Sequence, residues 1–170
     1  MIRVDIETII MASGPVPSVV VLRERKSGTS SESALRALSI QTGAYEAASI
    51  GHGVDAAKQT RRPIAHDLFI NTVKKLGSKV ERVEINRWEA PVFFADVVLA
   101  ATDENAEEIK VDARPSDALA IATRSNAPIY VEDDVMNRAG SVSIPTTEQA
   151  DAEEFEKFDE FVHTLSPDDF

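Results

Sequence analysis

Two segments of the chain combine arginine, proline and acidic residues in a pattern that suits the binding of an anion. In each segment an arginine directly precedes a proline, as Arg62-Pro63 and as Arg114-Pro115. The proline ring disfavours helical geometry at the residue before it and is well tolerated at the first position of a helix. Each arginine is therefore expected beside a helix N-terminus, where unpaired N–H groups and the helix dipole favour a phosphate or a carboxylate.

The residues around these two pairs have side chains suited to phosphodiester hydrolysis. A histidine can donate or accept a proton near neutral pH, and aspartates offer the oxygen ligands that Mg²⁺ or Mn²⁺ prefers. We therefore predict a catalytic group of Arg62, Arg114, His66 and Asp67, a phosphate-binding group of Arg62, Arg114 and Ser116, and a divalent metal held by Asp67, Asp112 and Asp117, with Glu46 as a weaker metal ligand.

The same residues also have a structural interpretation. Aspartate and serine in the first turn of a helix are common capping residues, and an arginine beside an aspartate often forms an ion pair that only stabilises the fold. Glu46, with Ala47 and Ala48 next to it, fits a solvated helix face equally well. Of the three histidines, only His66 lies in a segment that also holds arginine and aspartate, which makes it the most informative member of the group.

Several enzyme classes lose support because their motifs are absent. The chain has no P-loop, no dinucleotide fingerprint, no HExxH segment and no nucleophile elbow. It also has no cysteine, so a thiolate nucleophile and a cysteine-type zinc site are excluded. NTPase, zinc peptidase and serine hydrolase functions are therefore disfavoured.

The spacing of apolar residues along the chain predicts an α+β fold with a mixed, mostly antiparallel sheet and helices packed on it. These elements must position the residues named above. Alternating apolar residues indicate strands, and apolar residues at a spacing of three and four indicate helices. The predicted strands are 2–10, 18–22, 35–40, 79–88, 92–99, 109–112 and 129–131, and the predicted helices begin at 42, 63, 115 and 132. We expect one domain over residues 1–145.

An acidic, amphipathic helix is predicted for residues 146–170. Nine acidic residues and one lysine within 148–170 carry −8 of the net charge of −11, and residues 1–147 carry only −3. Phe155, Phe158 and Phe161 form one apolar stripe, which must be covered by the domain, by a second subunit or by another partner. We therefore expect a homo-oligomer, a dimer or larger.

The N-terminus and the hydropathy of the chain bear on where the protein works. Charges alternate with apolar residues from Met1 to Glu7, where a secretory signal needs an unbroken apolar stretch. No segment approaches the roughly 20 apolar residues that span a bilayer. We expect a cytoplasmic protein with no membrane partner.

The two arginine segments resemble the paired motifs of the bifunctional nuclease domain family, which was once classed as a domain of unknown function. The segment from Arg62 to Leu68 resembles the family's Arg-Pro-x-Thr-His-Asp-Leu motif, and the segment from Asp112 to Ala118 resembles its second motif. The order of the motifs matches, and the resemblance continues from Gly43 to the C-terminal Ser166-Pro167-Asp168-Asp169-Phe170. The chain departs from the family pattern in two places: Ala65 replaces a threonine, and Gln41-Thr42 replaces Trp-Ile.

The resemblance implies cleavage of DNA and RNA, the activity described for plant members, and hence a nucleic acid or a nucleotide as partner. The alternative function is a non-catalytic, anion-binding regulatory module that uses the acidic tail against a partner. A third alternative is an oligomeric scaffold in which the arginines form structural ion pairs only. An acidic protein without a basic surface studded with aromatic residues is a poor general binder of nucleic acid.

Overall fold

The computed structural model describes residues 1–25, 35–55, 62–101 and 107–142. Within these ranges the chain forms eight strands and four helices. In chain order they are β1 (Ile2–Ile10), β2 (Ser18–Glu24), β3 (Arg36–Thr42), α1 (Ala44–Val54), α2 (Ala65–Lys75), β4 (Val80–Glu89), β5 (Val92–Leu99), β6 (Ile109–Ala113), α3 (Pro115–Ser125), β7 (Ile129–Val131), α4 (Asp133–Ala139) and β8 (Ser141–Val142).

All eight strands belong to one sheet, in the order β6-β5-β4-β7-β1-β2-β3-β8. Every neighbouring pair is antiparallel except β4 and β7, which run parallel. The predicted α+β fold with a mixed, mostly antiparallel sheet is therefore confirmed. None of the helices in the described ranges has the length and apolar character needed to cross a membrane.

One hydrophobic core joins the sheet to all four helices. Ile50 of α1, Ile70 of α2, Leu119 of α3 and Met136 of α4 are buried in the same cluster as the inward residues of the strands. The strand residues in this cluster alternate, as Val83 and Ile85 of β4 do, because successive side chains of a strand point to opposite faces. Burial of this apolar surface is the main force that holds the three helices α1, α2 and α3 together.

The start of α2 differs from the prediction. The helix begins at Ala65, two residues after Pro63, because the Asp67 carboxylate accepts a hydrogen bond from the Ile64 N–H at 3.0 Å and so makes Ile64 the capping residue. By contrast, α3 begins at Pro115 as predicted. Arg114 has the extended backbone that the following proline requires, with φ −65° and ψ 145°.

Helix α1 is more regular than its glycines indicated. It continues through Gly51 and Gly53 to Val54, although a glycine inside a helix costs about 1 kcal/mol relative to alanine. A Cβ atom at Gly53 would overlap the side chain of Thr123 on α3. The glycine therefore allows α1 and α3 to approach closely, and the packing offsets its poor helix propensity.

The C-terminal side of the chain differs from the prediction at one point and lies outside the described residues at another. Strand β8, which was not predicted, has only two residues and pairs with Arg36 and Ala37; two residues are too few to reveal an alternating pattern. The predicted helix at 146–170 and its apolar stripe lie outside the described residues. The expected homo-oligomer, which depends on that stripe, stays a prediction.

A buried carboxylate lies on the face of the sheet opposite the core. Glu84, at 2% exposure, accepts hydrogen bonds from Arg82 Nε at 2.7 Å and Lys110 Nζ at 2.8 Å. Burial alone raises the pKa of Glu84, but the hydrogen bonds from Lys110 and Arg82 outweigh it and hold the pKa below its usual value. Arg82 also forms an ion pair with Glu108, which lowers the pKa of that carboxyl.

We expect Arg82→Ala to destabilise the fold by about 1.5–3 kcal/mol, since it removes a charged hydrogen bond to a buried group while Lys110 still pairs with Glu84. The lowered pKa values of Glu84 and Glu108 stabilise the protein above pH 4.5, the ordinary glutamate value, and this stabilisation is lost as the pH falls below it.

The free energy of unfolding, measured with urea, should therefore fall less between pH 7 and pH 3.5 in Arg82→Ala than in the wild type. Arg25→Ala, which removes an exposed ion pair with Asp5, is the control and should cost under about 1 kcal/mol.

Candidate active site

The two predicted helix starts meet in the structure. His66 lies in the first turn of α2 and Asp117 in the first turn of α3, and their side chains make contact, with His66 Nε2 3.2 Å from Asp117 Oδ1. Both side chains are partly buried, with exposed fractions of 17% for His66 and 32% for Asp117. The contact brings the histidine of one motif against the carboxylate of the other.

Arg114 completes this contact from the N-terminus of α3. Its guanidinium donates to Asp117 twice, through Nε to Oδ2 at 2.8 Å and through Nη2 to Oδ1 at 3.3 Å. Burial raises the pKa of Asp117, but the hydrogen bonds from Arg114 and His66 outweigh it and hold the pKa below its usual value. Asp117 is therefore a carboxylate at neutral pH. The hydrogen bond that Arg114 donates to this carboxylate raises the pKa of Arg114. The Arg114 side chain is 66% exposed, so part of it faces solvent.

Glu46 belongs to the same group of side chains. It lies in the first turn of α1, and its Oε1 accepts a hydrogen bond from Arg114 Nη1 at 3.3 Å. Arg114 thus bridges the first turns of α1 and α3. The structure assigns Glu46 a role as a partner of this arginine.

Two residues that sequence reasoning missed complete the site. Ser49 lies one turn after Glu46 on α1, and its Oγ is 3.0 Å from His66 Nδ1. Arg124, near the end of α3, donates to Ser49 Oγ at 3.2 Å and to Asp67 Oδ1 at 3.0 Å. The Arg124 side chain is only 9% exposed.

The Asp117 carboxylate fixes the hydrogen positions in this group whenever the imidazole of His66 carries one proton. An ionised carboxylate can only accept, so the proton of a neutral imidazole is on Nε2 and Nδ1 accepts from the Ser49 hydroxyl, whose oxygen in turn accepts from Arg124. The Nε2 proton points to Asp117. The result is a directed line of donors and acceptors: Arg124, Ser49, His66 and Asp117.

A hydroxyl, an imidazole and a carboxylate in this order are the usual parts of a nucleophile activated by a general base, and here they occur without the nucleophile-elbow motif whose absence disfavoured a serine hydrolase. The base lies within hydrogen-bond reach of the hydroxyl, and a third group orients the base. The signals for these residues in the sequence are spacings: Ser49 follows Glu46 by three residues, and Arg124 follows Asp117 by seven, so each pair shares one helix face. Spacing alone does not reveal which helix each face meets.

Asp67 has both of its carboxylate oxygens in use. Oδ2 accepts the N–H of Ile64 and so caps α2, and Oδ1 accepts the bond from Arg124. Asp67 therefore joins the start of α2 to the end of α3. This arrangement fixes the position of His66, the residue next to it in the chain.

The three aspartates predicted to hold a metal are not gathered into one group. Asp112 is an exposed residue of β6 and shares a sheet face with its partner Asp96 and with Lys110, opposite the face on which the core lies. Within the described ranges, no cluster of three histidine, aspartate or glutamate side chains has the arrangement needed to hold a metal ion. Because the donor set does not fit a protein-held Mg²⁺ or Mn²⁺, we assign no chemical step to a metal.

The other two predicted phosphate-binding residues have different positions. Ser116, in the first turn of α3, is almost buried at 9% exposure and lines a cleft with Arg114 and Glu46. Arg62 is exposed and lies three residues before the start of α2. The structure thus joins His66, Asp117, Arg114 and Glu46 in one network, with Asp67 attached to it through Arg124.

The fold and this network define an α+β domain with a polar site between the first turns of three helices. A family model for the bifunctional nuclease domain matches residues 20–143, which include every residue of the site. The chain therefore belongs to the bifunctional nuclease domain family. The family resemblance noted from the two arginine motifs is confirmed.

Relatives of two kinds have sequences similar to this chain. An uncharacterized protein of Mycobacterium tuberculosis (strain H37Rv) is 40% identical over 144 residues, which cover 79% of this chain and 81% of the relative. A protein of Oryza sativa subsp. japonica called bifunctional nuclease 2 is 34% identical over 70 residues, and one of Arabidopsis thaliana called bifunctional nuclease 1 is 33% identical over 73 residues. The plant matches cover 41% and 43% of this chain, and 22% of each plant protein.

Proposed function

We propose that this protein hydrolyses phosphodiester bonds in nucleic acid at the group formed by Ser49, His66 and Asp117. The observation that carries the proposal is the line of hydrogen bonds from Ser49 Oγ through the His66 imidazole to Asp117, at 3.0 and 3.2 Å. Arg114 lies beside this line with a partly exposed guanidinium. Membership of the bifunctional nuclease domain family and the names of the plant relatives support a nuclease role.

Arg114 binds the phosphate in the proposed reaction. Its planar fork matches the geometry of a phosphate oxygen pair, and the N–H groups in the first turn of α3 add favourable partial charge. Glu46 and Asp117 hold the guanidinium in place before the substrate arrives. Arg114 is joined to Ser49 through Asp117 and His66, so we expect a phosphate on Arg114 to lie within reach of the Ser49 hydroxyl.

Ser49 attacks the bound phosphorus while its proton passes to His66 Nδ1. The bond from phosphorus to the leaving sugar oxygen breaks, and that oxygen takes the proton from His66. A water molecule then attacks the phosphorus of the seryl ester and gives a proton to His66, which returns it to Ser49 as the ester bond breaks. Asp117 orients the imidazole and stabilises its cation, and Arg124 stabilises the negative charge that develops on Ser49 Oγ.

Removing Arg114 should remove most of the cleavage. We expect Arg114→Ala to lower the cleavage rate of a labelled single-stranded oligonucleotide by about 10²- to 10³-fold, the usual effect of losing one group that stabilises developing charge. Arg87→Ala is the matched control, since Arg87 is also an exposed arginine in an ion pair, with Glu89, but lies outside the site. Equal rates for Arg114→Ala and Arg87→Ala would contradict the proposed role of Arg114.

The same assay separates the alternative function, a non-catalytic anion-binding module. That function predicts phosphate binding that depends on Arg114 but no cleavage by the wild type, with or without added Mg²⁺ or Mn²⁺. The exposed guanidinium at the N-terminus of α3 fits both functions. The hydroxyl and imidazole in contact favour the hydrolytic one.

A further inference from the structure

A cleft of about 620 Å³ lies beside the proposed catalytic group. The cleft is lined by the end of β3 and the start of α1, by the hairpin of β4 and β5, by the first turn of α3 and by the end of α4. The volume falls within the roughly 300–1,000 Å³ of sites that bind small molecules. Arg114 and Glu46 line this cleft and also contact the catalytic group, so the two regions are continuous.

The hairpin wall of the cleft carries an aromatic surface. Trp88 and Phe93 are cross-strand partners whose ring centroids lie 6.0 Å apart, with ring planes 28° apart. Both rings also pack against the hydrophobic core. This support holds the Trp88 ring in place, so a flat ligand that stacks on it does not have to order it first.

The cleft also presents two arginines in a strongly acidic protein. Its charged lining residues are Arg114, Arg138 and Glu46. The Arg138 guanidinium lies 5.3 Å from the centroid of the Trp88 ring and pairs with Asp134 at 3.0 Å. Both side chains of this ion pair are exposed to solvent. Arg138 can therefore exchange Asp134 for a phosphate at little cost in free energy.

We propose that the cleft binds an unpaired nucleotide of a single-stranded nucleic acid, with the base in place of the Arg138 guanidinium over the Trp88 ring and the adjoining phosphate on Arg114. Aromatic faces beside arginines are the usual means of holding single strands, since every base has a flat face and every linkage a charge. A base in a duplex is stacked on both sides and cannot reach Trp88. This inference rests on the proposed function, because it makes the cleft the substrate-binding part of the same site.

Trp88 is the only tryptophan of the chain, so its fluorescence reports on the cleft directly. The full-length His66→Ala variant, in which the substrate should stay intact, is titrated with a single-stranded thymidine oligonucleotide and with a duplex of equal length. We expect saturable quenching by the single strand and little quenching by the duplex. Quenching by neither, or equally by both, would overturn the proposal.

Substitutions at Trp88 give a second test, read from the fluorescence anisotropy of a labelled single strand. Trp88→Ala should weaken binding about 5- to 150-fold, which corresponds to the roughly 1–3 kcal/mol of one stacked base. Trp88→Phe keeps an aromatic ring and should therefore keep most of the affinity. An equal loss of affinity in both variants would show that the alanine variant fails through its fold. Phe94→Ala is the matched control, because Phe94 also has an arginine over its ring, Arg87 at 3.7 Å, but lies outside the cleft lining.

The outcomes separate this inference from the proposed function. Single-strand binding that depends on Trp88, in a wild-type protein that cleaves nothing, would support the cleft and contradict the nuclease. Cleavage that depends on His66, with equal affinity in wild type and Trp88→Ala, would support the nuclease and contradict the cleft. Equal weakening by Phe94→Ala and Trp88→Ala would also overturn the inference.

Discussion

Replacing His66 with alanine is expected to lower the rate of oligonucleotide cleavage by about 10²- to 10⁴-fold, the usual contribution of a positioned general acid or base. His66 has Ser49 on one ring nitrogen and Asp117 on the other, so its loss separates the hydroxyl from its proton acceptor. Initial rates at saturating substrate give kcat, which should fall more than KM rises, since phosphate binding is assigned to Arg114.

His52→Ala is the matched control for this experiment. His52 is an exposed histidine near the end of α1, outside the network of the site. Its replacement should leave the cleavage rate unchanged, and circular dichroism should confirm that both variants are folded. A rate for His66→Ala within about threefold of the His52→Ala rate would remove His66 from the mechanism, because a general base contributes far more than that.

Ser49→Ala is expected to lower cleavage about as much as His66→Ala, by about 10²- to 10⁴-fold. The two residues act as one unit in the proposed reaction, since each needs the other for the transfer of one proton. Effects of residues that act as a unit are far from additive. The double variant Ser49→Ala/His66→Ala should therefore be no slower than either single variant.

Two further measurements bear on Ser49. During turnover quenched with acid, intact-protein mass spectrometry of the wild type should find a nucleotide attached through a phosphate, and Ser49→Ala should lack it. If Ser49→Ala cleaves at the wild-type rate while His66→Ala does not, the nucleophile is water and the role of Ser49 is only to orient the imidazole. Arg124 keeps its bonds to Asp67 and to the Ala120 carbonyl in this variant, so the fold should be retained.

The fold could be predicted from the sequence where the pattern was local. Strands β5 and β7 have the predicted bounds, and α3 begins at the predicted proline, because dense β-forming residues and a proline at the first helical position are strong local signals. The continuation of α1 through Gly53 depends instead on the close approach of α3. A contact between distant segments of the chain leaves no periodic signal.

The site was predictable in part for the same reason. His66, Asp117 and Arg114 stand out because the two arginine motifs flag them within a few residues. Ser49 and Arg124 lie in otherwise ordinary helices, and only the packing of α1, α2 and α3 brings them to His66. Asp112 was grouped with the site because it is near Arg114 in sequence, but the alternation of a strand turns it to the other face of the sheet.

The most direct test of the proposed hydrolysis compares the products formed by two proteins purified in the same way. The wild type and the Ser49→Ala/His66→Ala double variant are each incubated with a labelled single-stranded oligonucleotide, and the products are separated by electrophoresis. Our account predicts products that accumulate with the wild type and stay at the level of the buffer control with the double variant. Equal products from both proteins, or none from the wild type, would contradict it.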